Sequence, residues 1–261
     1  MQIEINTFIQ VNLKKLTNKT FSKKYISQYI APIINNLNNS EYKKFIIAGA
    51  QGAGKSTLAK LFKLVLENIY KKKVMLLSID DYYLSKNKRV KLSKKIHPLL
   101  STRGVPGTHD ILRLKNDIIN FQTKNFPITT PIFNKLKDDT SIKKKIIKNA
   151  EILLLEGWCC GSPSINTKYL FQNINRVETL LDKNKKWRQY YNSQLKMEYK
   201  KVFSLFDQQI YIEPPSFNYV LKWRYTQEKN NALKSRNKDF MNKKELQTFI
   251  QHYEKLTRWM M

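Results

Sequence analysis

The stretch that decides the fold is Gly49-Ala50-Gln51-Gly52-Ala53-Gly54-Lys55-Ser56. It fits the pattern G-x-x-x-x-G-K-[ST], a glycine-rich turn whose backbone N–H groups cradle phosphates at the start of a helix. The apolar run 45–48 predicts a buried strand before the turn, and the apolar spacing over 56–66 predicts a helix after it. We therefore predict a nucleotide-phosphate site at this turn.

The residues of this turn are assigned to ATP and Mg²⁺. Lys55 is predicted to reach the β- and γ-phosphates and to act in phosphoryl transfer, and Ser56 is predicted to bind Mg²⁺. The predicted nucleotide-binding residues are Gly49, Ala50, Gln51, Gly52, Ala53, Gly54, Lys55, Ser56 and Thr57. The alternative is a tight turn that matches the pattern by chance, and the strand and helix around it argue against that alternative.

Acidic residues follow two further apolar runs. The predicted strand 74–79 leads into Asp80 and Asp81, and the predicted strand 152–155 leads into Glu156. Carboxyl ends of parallel strands meet at one edge of a sheet, where open α/β folds bind ligands. One of the two aspartates is placed to accept a substrate proton, and Glu156 takes the Walker B position near Mg²⁺, as a catalytic and metal-site residue. The alternatives are turn or cap residues and a buried glutamate paired with a lysine.

A second glycine-containing segment, HPLLSTRGVPGTHD, spans residues 97–110. An arginine such as Arg103 is suited to a planar carboxylate or phosphate. We predict that Arg103, His109 and Asp110 contact the substrate. Because residues 111–119 have a helical pattern, the alternative is a helix cap at Thr108 or Asp110 beside a histidine that is satisfied within the core.

Five segments of the chain together resemble D-glycerate 3-kinase of the P-loop type, within the larger group of uridine kinase-like and pantothenate kinase-like enzymes. They are IIAGAQGAGKSTL, SIDDYYL, HPLLSTRGVPGTHD, LLLEGWCCG and YEKLTRWM, and the resemblance begins at about Phe45. The resemblance implies phosphoryl transfer from ATP to D-glycerate, a small anion, to give 3-phosphoglycerate. It implies that Asp80 is the base, with Asp81 and Tyr83 among the substrate-binding residues.

The chain differs from this family pattern in the segment expected to shape the acceptor pocket. Asn134 stands where an acidic residue is usual, and Thr140 stands where an arginine is usual. The strand that usually follows the LTRWM segment is expected to be absent. A uridine- or pantothenate-type kinase and a non-catalytic nucleotide-binding regulatory protein are therefore kept as alternatives.

The whole chain is predicted to form one P-loop kinase domain over 1–261, an α/β fold with a mostly parallel sheet and helices on both faces. Residues 1–42 are predicted as a helical extension and residues 43–261 as the kinase core. Within the core, 135–149 is predicted as a mobile lysine-rich loop, 187–206 as helical, 209–212 as a strand and 243–259 as a helix. The resemblance implies a lid on the helix from about Phe217, with Arg224 as the cation that closes on the phosphates.

The net charge is +28, from 48 Lys and Arg against 20 Asp and Glu. The lysines are spread along the chain in twos and threes, which favours solvated surfaces over a dedicated nucleic-acid face. The two cysteines, Cys159 and Cys160, are adjacent, so they offer neither a disulfide framework nor metal-ligand spacing. Apolar runs are too short to cross a bilayer, and we expect a cytoplasmic protein without a membrane or nucleic-acid partner.

Overall fold

The computed structural model describes residues 2–235 and 243–261. Within that part of the chain the strands are β1 (Lys44–Gly49), β2 (Val74–Ser78), β3 (Ile128–Thr130), β4 (Phe133–Asn134), β5 (Asp139–Thr140), β6 (Lys145–Ile147), β7 (Ile152–Gly157) and β8 (Gln208–Ile212). The helices are Gln2–Thr17, 23–39, Lys55–Asn68, Lys86–Lys95, Ile111–Gln122, Thr167–Phe171, Val177–Leu181, 186–203, Phe217–Ser235 and Lys243–Met260, and there are short helical turns at Ile79–Tyr82 and Pro98–Ser101.

The central sheet has the strand order β2-β7-β1-β8, and all of its pairs are parallel. The register places Ile47 and Ser78 on either side of Glu156. Because the strands are parallel, their carboxyl ends lie along one edge, which gathers the segments that follow β1, β2 and β7. The predicted strands and the predicted α/β class are confirmed, and no described strand follows β8.

Alternation along β1 divides the core between the two faces of the sheet. Phe45 and Ile47 pack into one cluster of buried apolar residues, and Ile46 and Ala48 pack into the other. Successive side chains of a strand point to opposite faces, so a fully apolar strand needs a cover on both sides. Helices on each face provide that cover.

The N-terminal extension is part of this core. It contains two helices, Gln2–Thr17 and 23–39, where the sequence pattern predicted one, and Ile9 and Ile34 are fully buried in the cluster that contains Phe45 and Phe62. The extension therefore covers one face of the sheet by contacts with the helix Lys55–Asn68.

The segment 135–149 contains two short strands, β5 and β6, where its lysines predicted a mobile loop. β4 pairs with β5 and β3 pairs with β6, both antiparallel, so this region forms two small ladders. Contacts far away in sequence hold it in place, because Asp81 accepts the backbone N–H of Phe133 at 3.2 Å and Asp139 accepts that of Lys86 at 3.0 Å. We refer to residues 133–140 as the β4–β5 hairpin.

No helix among residues 2–235 and 243–261 combines the length and the apolar character needed to cross a membrane.

Candidate functional site

The glycine-rich turn follows β1 directly and is closely covered on two sides. Gly49 has φ +149°, and a Cβ at this position would lie 2.6 Å from the carbonyl oxygen of Ile212 in β8. Gly52 has φ +81°, and a Cβ there would lie 2.7 Å from the Cβ of Trp223 on the helix Phe217–Ser235. Glycine is needed at both positions because the backbone of the turn is in contact with a strand and a helix.

Lys55 begins the helix after the turn, and its ammonium group folds back over it. Its Nζ donates a hydrogen bond to the carbonyl of Ala50 at 2.9 Å, and the side chain is buried. Burial lowers the pKa of Lys55, while the nearby carboxylates of Glu156 and Asp80 oppose that effect. The turn, its lysine and two predicted carboxylates therefore share one electrostatic environment.

Glu156 lies near the carboxyl end of β7 and is buried. Burial raises its pKa, and hydrogen bonds from Ser78 and Ser56 act in the opposite direction. Ser56 is exposed in the first turn of its helix, and Thr57 follows it half-buried. The two residues predicted to serve Mg²⁺, Ser56 and Glu156, are thus within hydrogen-bond reach of each other.

Asp80 lies in a short helical turn after β2, and a lysine from the β4–β5 hairpin pairs with it. The Nζ of Lys135 is 2.6 Å from the Oδ2 of Asp80. Burial acts to raise the pKa of Asp80, but the charge and hydrogen bond of Lys135, aided by Lys55, outweigh it and the pKa falls below its usual value. Asp80 is consequently an ionised carboxylate at neutral pH.

The side chains of Asp81 and Tyr83 are engaged in contacts within the protein. Burial raises the pKa of Asp81, and its Oδ1 accepts the Phe133 backbone N–H, which anchors the hairpin. Tyr83 is buried, stacks on the ring of His109 at 4.3 Å between centroids and meets the edge of Phe133 at 5.3 Å. Of the two aspartates, Asp80 is the one whose charge acts on the ammonium of Lys55.

His109 is brought to the same place by the segment 97–110. It is 4% exposed, and its Nδ1 lies 2.6 Å from the hydroxyl of Tyr199. Burial lowers the pKa of His109 to about 4, against the opposing charge of Asp80. The imidazole is therefore neutral at pH 7, and no described residue hydrogen-bonds to its Nε2.

Arg103 belongs to an ion-pair cluster on the β4–β5 hairpin. Its guanidinium pairs with Asp138, which also pairs with the fully buried Arg89 at 2.8 Å. Phe133 lies beneath both cations, with the Cζ of Arg103 5.5 Å from its ring centroid. The predicted anion-binding arginine is thus held by a carboxylate of this chain, at the rim of the same hairpin that supplies Lys135.

The helix Lys243–Met260 shapes the loop that carries Arg103. The hydroxyl of Tyr253 donates to the carbonyl of Arg103 at 3.0 Å, and a Cβ on Gly104 would lie 2.5 Å from that hydroxyl. Trp158 donates its indole N–H to the carbonyl of Gly104 at 3.3 Å and packs edge-on against Tyr253. We refer to the packing of the Tyr253 side chain against the backbone of Arg103 and Gly104 as the Tyr253–Gly104 contact.

Two predicted residues lie at the margin of the site. Asp110 accepts the backbone N–H of Arg113 at 3.1 Å and caps the helix Ile111–Gln122, which is the alternative stated for it. Arg224 lies on the helix that covers Gly52, where it donates to Gln227 at 2.9 Å and stacks over Phe249. The structure thus places Arg224 beside the phosphate turn and places Asp110 in a structural role.

Sequence patterns did not single out the residues that connect these parts. Lys135, Asp138 and Tyr199 each meet a predicted site residue through a contact between distant segments. Lys135 follows Asn134 in a lysine-rich stretch, and Tyr199 lies in a region that carried only a helical pattern. The structure brings the phosphate turn, Glu156, Asp80 and His109 together at one sheet edge.

Comparisons with known proteins identify chains with a similar sequence and structures with a similar fold. The chain is 31% identical over 227 residues to the uncharacterized kinase mug58 of Schizosaccharomyces pombe, covering 79% of this chain and 76% of that protein. It is 27% identical over 255 residues to the probable ATP-dependent kinase TDA10 of Saccharomyces cerevisiae, covering 92% of this chain and 84% of that protein. A D-glycerate 3-kinase from Cryptococcus neoformans has the same fold, with a TM-score of 0.72 and 23% identity over 98% of this chain and 87% of that one. No family model matches the chain.

Proposed function

Because the chain belongs to the P-loop kinase group of D-glycerate 3-kinase and its pantothenate kinase and uridine kinase-like relatives, we propose that it transfers the γ-phosphoryl group of ATP to a small hydroxy acid. D-Glycerate is the acceptor that we propose, and 3-phosphoglycerate is the product. The observation that carries this proposal is the placement of Asp80, an ionised carboxylate paired with Lys135, at the sheet edge shared with Lys55.

The phosphate end of the reaction is assigned to the glycine-rich turn. Its backbone N–H groups and the start of the helix Lys55–Asn68 favour bound phosphates, and Lys55 neutralises charge on the group being transferred. To meet the γ-phosphate, the ammonium exchanges its hydrogen bond with the Ala50 carbonyl for phosphate oxygens. A partly desolvated ammonium binds an anion more strongly than a hydrated one, which favours this exchange.

Mg²⁺ is supported by the chemistry of the donors present. The hydroxyl of Ser56 and the carboxylate of Glu156 are oxygen donors, which Mg²⁺ prefers, and they are close enough to hydrogen-bond. Among the described residues, no three His, Cys, Asp or Glu side chains are arranged so that they could hold a metal ion, so the ion would depend on phosphate oxygens for further ligands. When bound, Mg²⁺ would neutralise charge on the phosphates.

The acceptor end is assigned to Asp80 and the hairpin. A hydroxyl that approaches the γ-phosphate in line would donate its hydrogen bond to Asp80, which orients the attacking oxygen and takes up the proton. The lowered pKa of Asp80 makes it a weak base, and that suffices because phosphoryl transfer has a loose transition state in which the proton leaves late.

Two cations, one beside Asp80 and one beside Phe133 on the hairpin, favour an anionic acceptor. Lys135 contacts Asp80 directly, and Arg103 lies next to Phe133 on the same hairpin. An acceptor with a carboxylate at one end and a hydroxyl at the other could meet a cation and Asp80 at once. Glycerate has this arrangement in a small molecule and pantothenate has it in a longer one, whereas uridine has no carboxylate.

The test is steady-state turnover of ATP by the whole chain with D-glycerate, L-glycerate, pantothenate and uridine, with the phosphorylated product identified by ³¹P and ¹H NMR. We expect D-glycerate to give the highest kcat/KM and 3-phosphoglycerate as the product. Lys55→Ala is the matched control for contaminating kinases. Faster turnover of uridine than of D-glycerate would refute the anionic acceptor, and absence of turnover with every acceptor would refute the enzymatic proposal.

A further inference from the structure

A buried hydrogen bond joins His109 to Tyr199 on the helical segment 186–203. The hydroxyl oxygen of Tyr199 lies 2.6 Å from Nδ1 of the imidazole, and the two side chains are 0% and 4% exposed. A neutral imidazole carries one proton, so the direction of this hydrogen bond determines which ring nitrogen is a donor.

The other contacts of Tyr199 fix that direction. Its hydroxyl oxygen accepts the backbone N–H of Gly107 at 2.9 Å. This donor uses one lone pair of the oxygen, and the hydroxyl still has its own proton to donate. Burial raises the pKa of Tyr199 well above its usual value, so the hydroxyl keeps its proton. Among the described residues, the acceptor within reach of that proton is Nδ1 of His109, which must then be unprotonated.

The proton of the neutral imidazole consequently resides on Nε2. This atom is buried and has no hydrogen-bond partner in the described part of the chain. Tyr83 covers one face of the ring, and Asp80 is close enough for its charge to act on the imidazole. A buried N–H without an acceptor is an unsatisfied donor, and an oxygen atom arriving beside Asp80 would satisfy it.

We propose that Tyr199 is a positioning residue that holds His109 in its Nε2–H form, so that His109 presents a neutral hydrogen-bond donor to an oxygen of the phosphoryl acceptor. The role of the site rests on the proposed function, whereas the tautomer does not depend on the identity of the acceptor. The arrangement determines specificity, because an acceptor without an oxygen at this point leaves the donor unsatisfied.

The first measurement is the tautomer itself, in protein without any acceptor. The chain has three histidines, so ¹⁵N and ¹³C spectra of histidine-labelled protein are simple, and His109→Gln identifies the signal of His109. We expect the Nε2–H tautomer in the wild type between pH 6 and 8, and a mixture of tautomers in Tyr199→Phe. Tyr190→Phe is the matched control, since Tyr190 packs on Gly107 without a described hydrogen bond from its hydroxyl.

The second measurement is kinetic and uses a double-mutant cycle. Tyr199→Phe should raise the KM for the acceptor roughly tenfold, the effect of about one hydrogen bond, and leave the KM for ATP unchanged. In the His109→Gln background, whose amide N–H has no tautomers, the same substitution should have little further effect. A merely structural role for Tyr199 would instead make the two losses multiply.

These measurements separate this proposal from the proposed function. The cycle is run with whichever of D-glycerate, pantothenate or uridine is turned over, so a different acceptor refutes the glycerate assignment alone. A His109 signal of the Nδ1–H form in the wild type, or a signal unchanged in Tyr199→Phe, overturns the role of Tyr199. Multiplicative losses in the cycle overturn it as well.

Discussion

Replacing Gly52 with alanine tests whether the helix Phe217–Ser235 covers the phosphate turn. Gly52 has φ +81°, and a Cβ there would lie 2.7 Å from the Cβ of Trp223. Gly54 offers a matched control, because it has φ +93° but no atom lies within 4 Å of the place where its Cβ would be. Both substitutions strain the backbone, and only Gly52→Ala collides with the helix.

The expected loss of stability follows from the backbone strain and from the collision with the helix. An alanine forced to positive φ costs about 1–2 kcal/mol, and the overpacked contact with Trp223 adds about 1–3 kcal/mol. We therefore expect Gly54→Ala to lower the free energy of unfolding by about 1–2 kcal/mol and Gly52→Ala by about 2–5 kcal/mol. At about 2–4 °C per kcal/mol for a chain of this size, the two Tm values should differ by about 2–12 °C.

The assay is thermal unfolding without nucleotide, followed by circular dichroism and by calorimetry. Nucleotide is left out because both glycines border the phosphate site, and a loss of ATP binding would confuse the comparison. Equal losses of Tm in the two variants would refute the packing of this helix on the turn, and with it the placement of Arg224 beside the phosphates.

Four further outcomes follow from the site. Lys55→Ala should reduce kcat by at least about a hundredfold while the circular dichroism spectrum stays unchanged, because Lys55 neutralises charge on the transferred group; near-wild-type turnover would contradict this. Asp80→Asn should lower kcat far more than Asp81→Asn, whose side chain anchors the hairpin, and the reverse order would exchange the roles. Arg103→Met should raise the KM for D-glycerate by roughly tenfold or more and leave the KM for ATP nearly constant, and a change confined to ATP would contradict the assignment. The pKa of His109 is about 4 in the folded chain and 6.5 as its ordinary value, so the unfolded chain takes up the proton at a higher pH than the folded chain does. The free energy of unfolding should therefore fall as the pH drops from 6.5 to 4, by up to about 1.4 kcal/mol per pH unit. Denaturant unfolding at several pH values should show a shallower dependence in His109→Gln.

The sheet and the phosphate turn could be predicted because their signals are local. β1, β2 and β7 are short, largely apolar runs because they lie under helices on both faces of the sheet, and glycine is confined to a few turns. The acidic residues at the strand ends follow from the geometry of a parallel sheet, so Asp80 and Glu156 could be located from the chain alone.

The hairpin could not be predicted because its stability comes from distant residues. β4 and β5 have two residues each, and lysines dominate the sequence around them. What orders the hairpin is Asp138, which receives Arg89 and Arg103 from segments 49 and 35 residues away. Lys135 reaches Asp80 only because of that anchoring, and no periodicity in the sequence carries the information.

Asp110 and Tyr199 show that the sequence can overestimate or underestimate the role of a residue in the site. Asp110 lies in a segment rich in candidate ligands, yet its carboxylate caps a helix through an N–H three residues away. Tyr199 sits in an ordinary helical pattern, yet its hydroxyl meets a loop 92 residues earlier. Composition identifies which residue types could act, whereas the tertiary contacts decide which ones do.

The Tyr253–Gly104 contact has a consequence for how the protein is made. A ribosome synthesises the chain from its first residue, and domains begin to fold as their segments emerge. The phosphate turn, Asp80 and Glu156 are all complete before Tyr253 is added, 150 residues after the Arg103 whose carbonyl it binds. The loop that carries Arg103 therefore receives the support of Tyr253 only after the phosphate turn, Asp80 and Glu156 have been synthesised.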